Sequence, residues 1–100
     1  MTDDDVRDAL REVMDPELGI NVVDLGLVQS IEHGPSNLSV GLTMTSPACP
    51  LGHHVVEQAI VVLKRRFPAI TLVKVALVWD PPWTPSRMSD AARRELGWNP

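Results

Sequence analysis

The chain has 100 residues, 44% of them hydrophobic, with one cysteine and a formal net charge of −4. This length and composition suit a single globular domain spanning 1–100, able to bury one core without staples. One cysteine excludes an internal disulfide and argues against a secreted scaffold, and the acidic balance disfavours nucleic acid or an anionic membrane as partner.

Thr2 and Asp5 have the spacing of a capping box, with Asp in place of Glu. Val6, Ala9, Leu10 and Val13 recur at i, i+3, i+4 and i+7, which predicts a helix over 3–14 stopped at Asp15-Pro16. The first fifteen residues are acidic and amphipathic, unlike a signal or transit peptide, and no apolar run approaches the ~20 residues of a membrane span. The expected compartment is the cytoplasm, with no membrane partner.

An irregular stretch leads through Asp24-Leu25-Gly26 into a strand predicted over 27–33. Gly34-Pro35-Ser36-Asn37 reads as a hairpin turn. The second strand, over 38–45, turns Leu38, Val40, Leu42 and Met44 one way and Ser39, Gly41, Thr43 and Thr45 the other. A helix over 50–66 follows, with Val55, Val56, Ala59, Ile60 and Leu63 on its apolar face, ended by Pro68. The third strand, over 71–79, is apolar on both sides of its alternation, so it is expected to be covered on both faces, with Trp79 capping the core. A rigid loop, Asp80-Pro81-Pro82-Trp83-Thr84-Pro85, leads to a last helix over 85–96 with Thr84 as N-cap and Gly97 as stop. Trp83 reads equally as a contact surface or as a plug over the sandwich end.

The order α-β-β-α-β-α predicts an α+β fold, a two-layer α/β sandwich on a small three-stranded mixed sheet. The right-handed crossover makes strand 3 parallel to strand 2. The pattern leaves open whether it lies beside strand 2 or strand 1.

Chemistry concentrates around Cys49. Pro50 suits a first helical position, which makes Cys49 the expected N-cap, facing free N–H groups and the positive end of the helix dipole. That position favours the thiolate, the nucleophilic and metal-ligating form. The plain alternative is a small buried hydrophobe. Thr43 and Thr45 lead toward the cysteine, and their hydroxyls suit a sulfur or an anion, or simply a solvated sheet face. Asp15, Glu17 and Asp24 are either solvated turn residues or carboxylates that orient a partner, accept a proton or help hold a metal. His53 stands four residues after Cys49, on the same helical face, as a candidate metal ligand or base. His54 reads as exposed helix surface.

Five strings, in order, carry a resemblance: Asp15-Pro16-Glu17-Leu18-Gly19, Val23-Asp24-Leu25-Gly26-Leu27-Val28, Met44-Thr45-Ser46-Pro47-Ala48-Cys49-Pro50-Leu51, Val78-Trp79-Asp80-Pro81-Pro82-Trp83-Thr84-Pro85 and Met88-Ser89. Together they resemble the metal–sulfur cluster assembly family of SufT-type and PaaD-type proteins and the eukaryotic cytosolic iron–sulfur targeting component. The resemblance implies a fold akin to the C-terminal domain of NifU-like scaffolds and a role in iron–sulfur cluster assembly or delivery to apoproteins. It maps the family's reactive cysteine onto Cys49, its Asp-Pro-Glu motif onto Asp15 and Glu17, its Asp-Leu-Gly motif onto Asp24, and its threonines onto Thr43 and Thr45. The His53-His54 pair is outside the pattern. PaaD-type proteins add a cysteine-bearing extension absent here, which places the likeness nearer the short SufT-type branch.

The expected function is therefore an accessory factor rather than a turnover enzyme. One thiolate cannot hold a cluster that takes four protein ligands, so Cys49 is expected to supply one ligand to a transient iron or iron–sulfur centre, none tightly bound. The remaining ligands would come from assembly machinery, a client apoprotein or a homodimer partner. The competing readings are a thiol enzyme with Cys49 as nucleophile and His53 as base, and an adaptor with an inert cysteine. A KH-like binding module lacks its Gly-x-x-Gly loop.

Overall fold

The structure, a computed structural model, describes residues 2–16, 18–44 and 52–97. The order is α1 (Asp3–Leu10), β1 (Val28–His33), β2 (Asn37–Leu42), α2 (Gly52–Arg66), β3 (Leu72–Leu77), a 3-10 turn (Pro85–Arg87) and α3 (Asp90–Leu96). The expected α+β class and its mixed sheet are both present.

The start of α1 follows from its sequence. Thr2 Oγ1 accepts from the Asp5 N–H at 3.1 Å, and the Asp5 carboxylate accepts from the Thr2 N–H at 3.0 Å. The helix ends before the predicted stop at Asp15-Pro16. The Arg11 N–H is shared between the Arg7 and Asp8 carbonyls, and the Glu12 and Val13 N–H groups reach back three residues to Ala9 and Leu10. The last turn therefore tightens toward 3-10 geometry. Val13 is buried all the same, beside Val6, Ala9 and Leu10.

β1 and β2 pair antiparallel, from Val28 opposite Leu42 to His33 opposite Leu38, and one extra residue between Val28 and Ser30 makes a bulge at Gln29. β3 pairs parallel with β2, from Asn37 opposite Leu72 to Leu42 opposite Leu77. The sheet order is β1-β2-β3, which resolves the position of the third strand. A parallel neighbour needs a crossover, and α2 supplies it.

The helices pack on each other, α2 against β3 and α1 against β1, so they share one face of the sheet. Leu38, Val40, Leu42 and Met44 meet Val55, Ala59 and Leu63 in the core, all buried. Each of the valine, leucine and methionine side chains among them contributes about 1.5–3 kcal/mol relative to exposure. The opposite face, with Ser30, Glu32, Ser39, Lys74 and Ala76, stays open. β3 is therefore not covered on both sides as expected. It is an edge strand whose residues alternate between exposed and half-buried. Trp79 does not cap the core either, being 43% exposed. A continuous apolar run signals burial on both faces only when a second layer exists to cover it.

The expected last helix is split. After the 3-10 turn, Met88 adopts an extended backbone and enters the core at 3% exposure. Ser89, not Thr84, caps α3, accepting from the Ala92 N–H at 3.1 Å. Gly97, at φ +72°, ends it as expected.

At the hairpin end, His33 pairs with Asp3 at 3.1 Å. Arg65 and Arg66 both reach Glu12 at 2.5 Å, and Arg66 also reaches Asp8 at 2.9 Å.

Candidate functional site

At the other end of the sheet, three backbone hydrogen bonds lay four segments side by side. The Val22 N–H donates to the Val13 carbonyl at 3.0 Å, the Leu27 N–H to the Val22 carbonyl at 2.9 Å, and the Thr43 N–H to the Leu27 carbonyl at 2.8 Å. This relay brings the Asp15 loop, the Asp24 turn and the end of β2 together. α2 starts there too. A Cβ on Gly52 would stand 3.1 Å from Leu77 Cδ1 and 3.6 Å from Met44 Cγ.

Asp15 is buried at 2% exposure rather than solvated. Its Oδ1 accepts from the Leu18 N–H at 3.0 Å. Its own N–H donates to the Ile20 carbonyl at 2.9 Å, and its carbonyl accepts from the Gly19 N–H at 2.8 Å. The carboxylate thus replaces a backbone acceptor inside a tight loop. Asp24 is half-buried. Asn21 Nδ2 donates to its Oδ2 at 2.8 Å, while Asn21 Oδ1 accepts from its N–H at 2.9 Å. This reciprocal pair fixes the carboxylate's orientation.

Thr43 is 1% exposed, and its hydroxyl has no hydrogen-bond partner among the described residues. The solvated-face reading of this residue is therefore incorrect. A buried hydroxyl left unsatisfied costs about 1–3 kcal/mol, and such an exception calls for an explanation. Cys49, Thr45 and Glu17, all named from the sequence, lie outside the described residues.

His53 and His54 are exposed at the start of α2. His54 Nε2 meets Gln58 Nε2 at 2.9 Å, and it lines a shallow depression of about 410 Å³ with Val61 and Arg65. Among the described residues, no three His, Cys, Asp or Glu side chains are placed to hold a metal ion.

Other residues complete this end of the sheet. Trp83 is half-buried against the core, and its Nε1 donates to the Leu25 carbonyl at 2.6 Å, so it plugs the sandwich end. The Ser89 N–H donates to the Asp24 carbonyl at 2.7 Å. Gln29, at the bulge, donates to the Pro81 carbonyl at 2.6 Å. The Arg87 backbone presses against Gly26, whose φ of +74° and missing Cβ permit the approach. Segment 83–89 is thereby clamped over 24–26. The sequence signals were Gly26 after Asp24-Leu25 and a lone arginine between a proline-fixed loop and Met88.

The model of the family described as iron–sulfur cluster assembly protein matches residues 3–77. The chain is 42% identical over 86 residues to the Fe-S protein maturation auxiliary factor SufT of Staphylococcus aureus, covering 85% of this chain and 97% of that protein. It is 37% identical over 95 residues to the Fe-S protein maturation auxiliary factor YitW of Bacillus subtilis, covering 94% and 92%. A solved domain of unknown function from Bacillus anthracis superimposes with a TM-score of 0.90 at 36% identity, covering 96% of this chain and 92% of that one. With three quarters of its length matched and near-complete overlap with both relatives, this chain belongs to the iron–sulfur cluster assembly protein family.

Proposed function

We propose that this protein is an accessory factor in the maturation of iron–sulfur proteins, assisting cluster assembly or delivery to apoproteins. The observation that carries the reading is its end-to-end likeness to proteins named maturation auxiliary factors. Family membership of the chain over 3–77 supports the same role.

In this reading Cys49 is the reactive group. It supplies a single thiolate to iron or to a transient cluster, and the other ligands come from a client, the assembly machinery or a second copy of the chain. A cluster ordinarily takes four protein ligands, so one-point attachment is labile, which suits a factor that must release its cargo. Thr43 and Thr45 offer hydroxyls to the sulfur. Asp24, oriented by Asn21, is available at the same end as a weak oxygen ligand or proton acceptor. Asp15 and Glu17 act as supporting groups or weak iron ligands, and His53 is at most an auxiliary ligand. The iron or cluster is cargo, not a resident cofactor.

Anaerobic reconstitution with iron and sulfide, comparing the wild-type chain with Cys49→Ser by absorption and Mössbauer spectroscopy, tests this. The wild type should acquire a thiolate-to-iron charge-transfer band that the variant lacks. Identical spectra would remove Cys49 from cluster ligation.

A further inference from the structure

Among the described residues, two enclosed side-chain atoms have no hydrogen-bond partner: Thr43 Oγ1 and Arg87 Nη1. They are distant in sequence, but the backbones that carry them come to neighbouring residues in the fold. Arg87 lies against Gly26, so close that a Cβ there would overlap the Arg87 carbonyl. Leu27, the next residue, accepts the Thr43 N–H at 2.8 Å. Arg87 and Thr43 therefore flank consecutive residues, whose Cα atoms stand about 3.8 Å apart.

Arg87 is held firmly in place. Met88 is anchored in the core, the Ser89 N–H is tied to the Asp24 carbonyl, and Trp83 to the Leu25 carbonyl. No ion pair to Arg87 forms among the described residues, as with Arg7 and Arg94, whereas Arg11, Arg65, Arg66 and Arg93 are paired. The carboxylates at this end have other partners: Asp24 takes Asn21, and Asp15 takes the Leu18 N–H.

A guanidinium N–H can only donate, and a threonine hydroxyl can donate. Two enclosed donors, one of them cationic, complement a small anion. We propose that Thr43 and Arg87 form a subsite for anionic sulfur, a thiolate or a hydrosulfide ion seated between hydroxyl and guanidinium. This rests on the iron–sulfur role above, which is what selects sulfur among small anions. The subsite makes and breaks no covalent bond. It favours the deprotonated sulfur, whose proton passes to water. The occupant comes either from Cys49, six positions after Thr43 in the sequence, or from inorganic sulfide.

Two arms of one experiment separate these sources. The first measures the rate of Cys49 alkylation by iodoacetamide against pH in the wild type, Arg87→Gln, Arg87→Lys, Thr43→Val and Thr43→Ser. If the chain's own thiolate is the occupant, Arg87→Gln slows the rate at neutral pH about tenfold, equal to one pKa unit, and Arg87→Lys recovers most of it. Thr43→Val slows the rate and Thr43→Ser does not, a pair that decides the matter even if Arg87→Gln fails to fold. The second arm uses Cys49→Ser and follows its thermal midpoint as sodium hydrosulfide is added anaerobically, with chloride as control. If free sulfide is the occupant, the midpoint rises in Cys49→Ser and stays fixed when Thr43→Val is added. The charge-dependent slowing in the first arm, or the hydrosulfide shift in the second, supports the subsite and names its source. Unchanged alkylation profiles together with no hydrosulfide effect overturn it. Equal slowing by Arg87→Gln and Arg87→Lys, without a hydrosulfide effect, overturns it too, because that marks packing rather than charge. A wild-type thiol titrating near the ordinary 8.5 would defeat the reactive-cysteine reading and leave the hydrosulfide arm to judge the subsite.

Discussion

The two ends of the sheet are built on different terms. At the hairpin end polar groups are paired and exposed: Asp3 with His33, Asp8 with Arg66, and Glu12 with both Arg65 and Arg66. At the loop end polar groups are buried, and two of them, on Thr43 and Arg87, are unpaired among the described residues. Backbone geometry follows the same division, since Gly19 and Gly26, both at positive φ, belong to the loop end. Surface ion pairs add little stability, while buried polar groups at close backbone approaches cost free energy unless satisfied. A fold that tolerates such a cost at one end, and not at the other, has a use for that end.

The largest expected effect tests the clamp. Gly26→Ala must hold a Cβ at φ +74° against the Arg87 backbone. Strain and overpacking together should destabilise the chain by about 2–4 kcal/mol in urea unfolding. A loss under about 1 kcal/mol would show that segment 83–89 moves away freely and that Arg87 is not fixed. Next comes Asp15→Ala, which removes the buried acceptor of the Leu18 N–H. It should cost about 1–3 kcal/mol, and Asp15→Asn, which keeps an acceptor oxygen, should cost clearly less. Equal losses for the two would mean that the negative charge, not the hydrogen bond, holds the loop.

These effects also mark what a sequence can and cannot reveal. The helix start at Thr2 and Asp5, the alternation of β2 and the stop at Gly97 were legible because each rests on neighbours within four residues. The placement of β3 was half legible. Its direction followed from the crossover, but its exposure did not, because an apolar run cannot tell whether a second layer covers it. Asp15 and Thr43 were legible as candidates, and their burial was not, since burial depends on the relay from Val13 to Thr43 across some thirty residues. Arg87 left only a faint signal, a lone arginine between the proline-fixed loop and Met88. Its importance arises only when its segment folds back over Gly26.

Thr43→Val sharpens the contrast further. Valine matches threonine in shape and removes a hydroxyl that has no partner among the described residues. Stability should stay within about 1 kcal/mol of wild type, on the stabilising side, while the yield of reconstituted iron–sulfur species falls. Gain of stability with loss of function is the signature of a group kept for function. A destabilisation above that range would show that the hydroxyl is satisfied in solution.

The smallest effect belongs to the hairpin end. Glu12 joins Arg65 and Arg66 at 2.5 Å each, yet the Glu12, Arg65 and Arg66 side chains are 38%, 61% and 37% exposed. Hydrogen bonds to Glu12, and then to Asp8, push the Arg66 guanidinium above its ordinary value. A raised pKa of this kind adds stability that is fully present below the unfolded value and is lost only as pH climbs past the folded one. That window lies far above neutrality, so the pair confers no pH sensitivity in the physiological range. Glu12→Gln should therefore lower the thermal midpoint by about 2 °C or less at low salt, and high salt should erase the difference, because exposed charges are screened there. A loss as large as that of Gly26→Ala, persisting at high salt, would reverse the assignment and make the hairpin end the half on which folding depends.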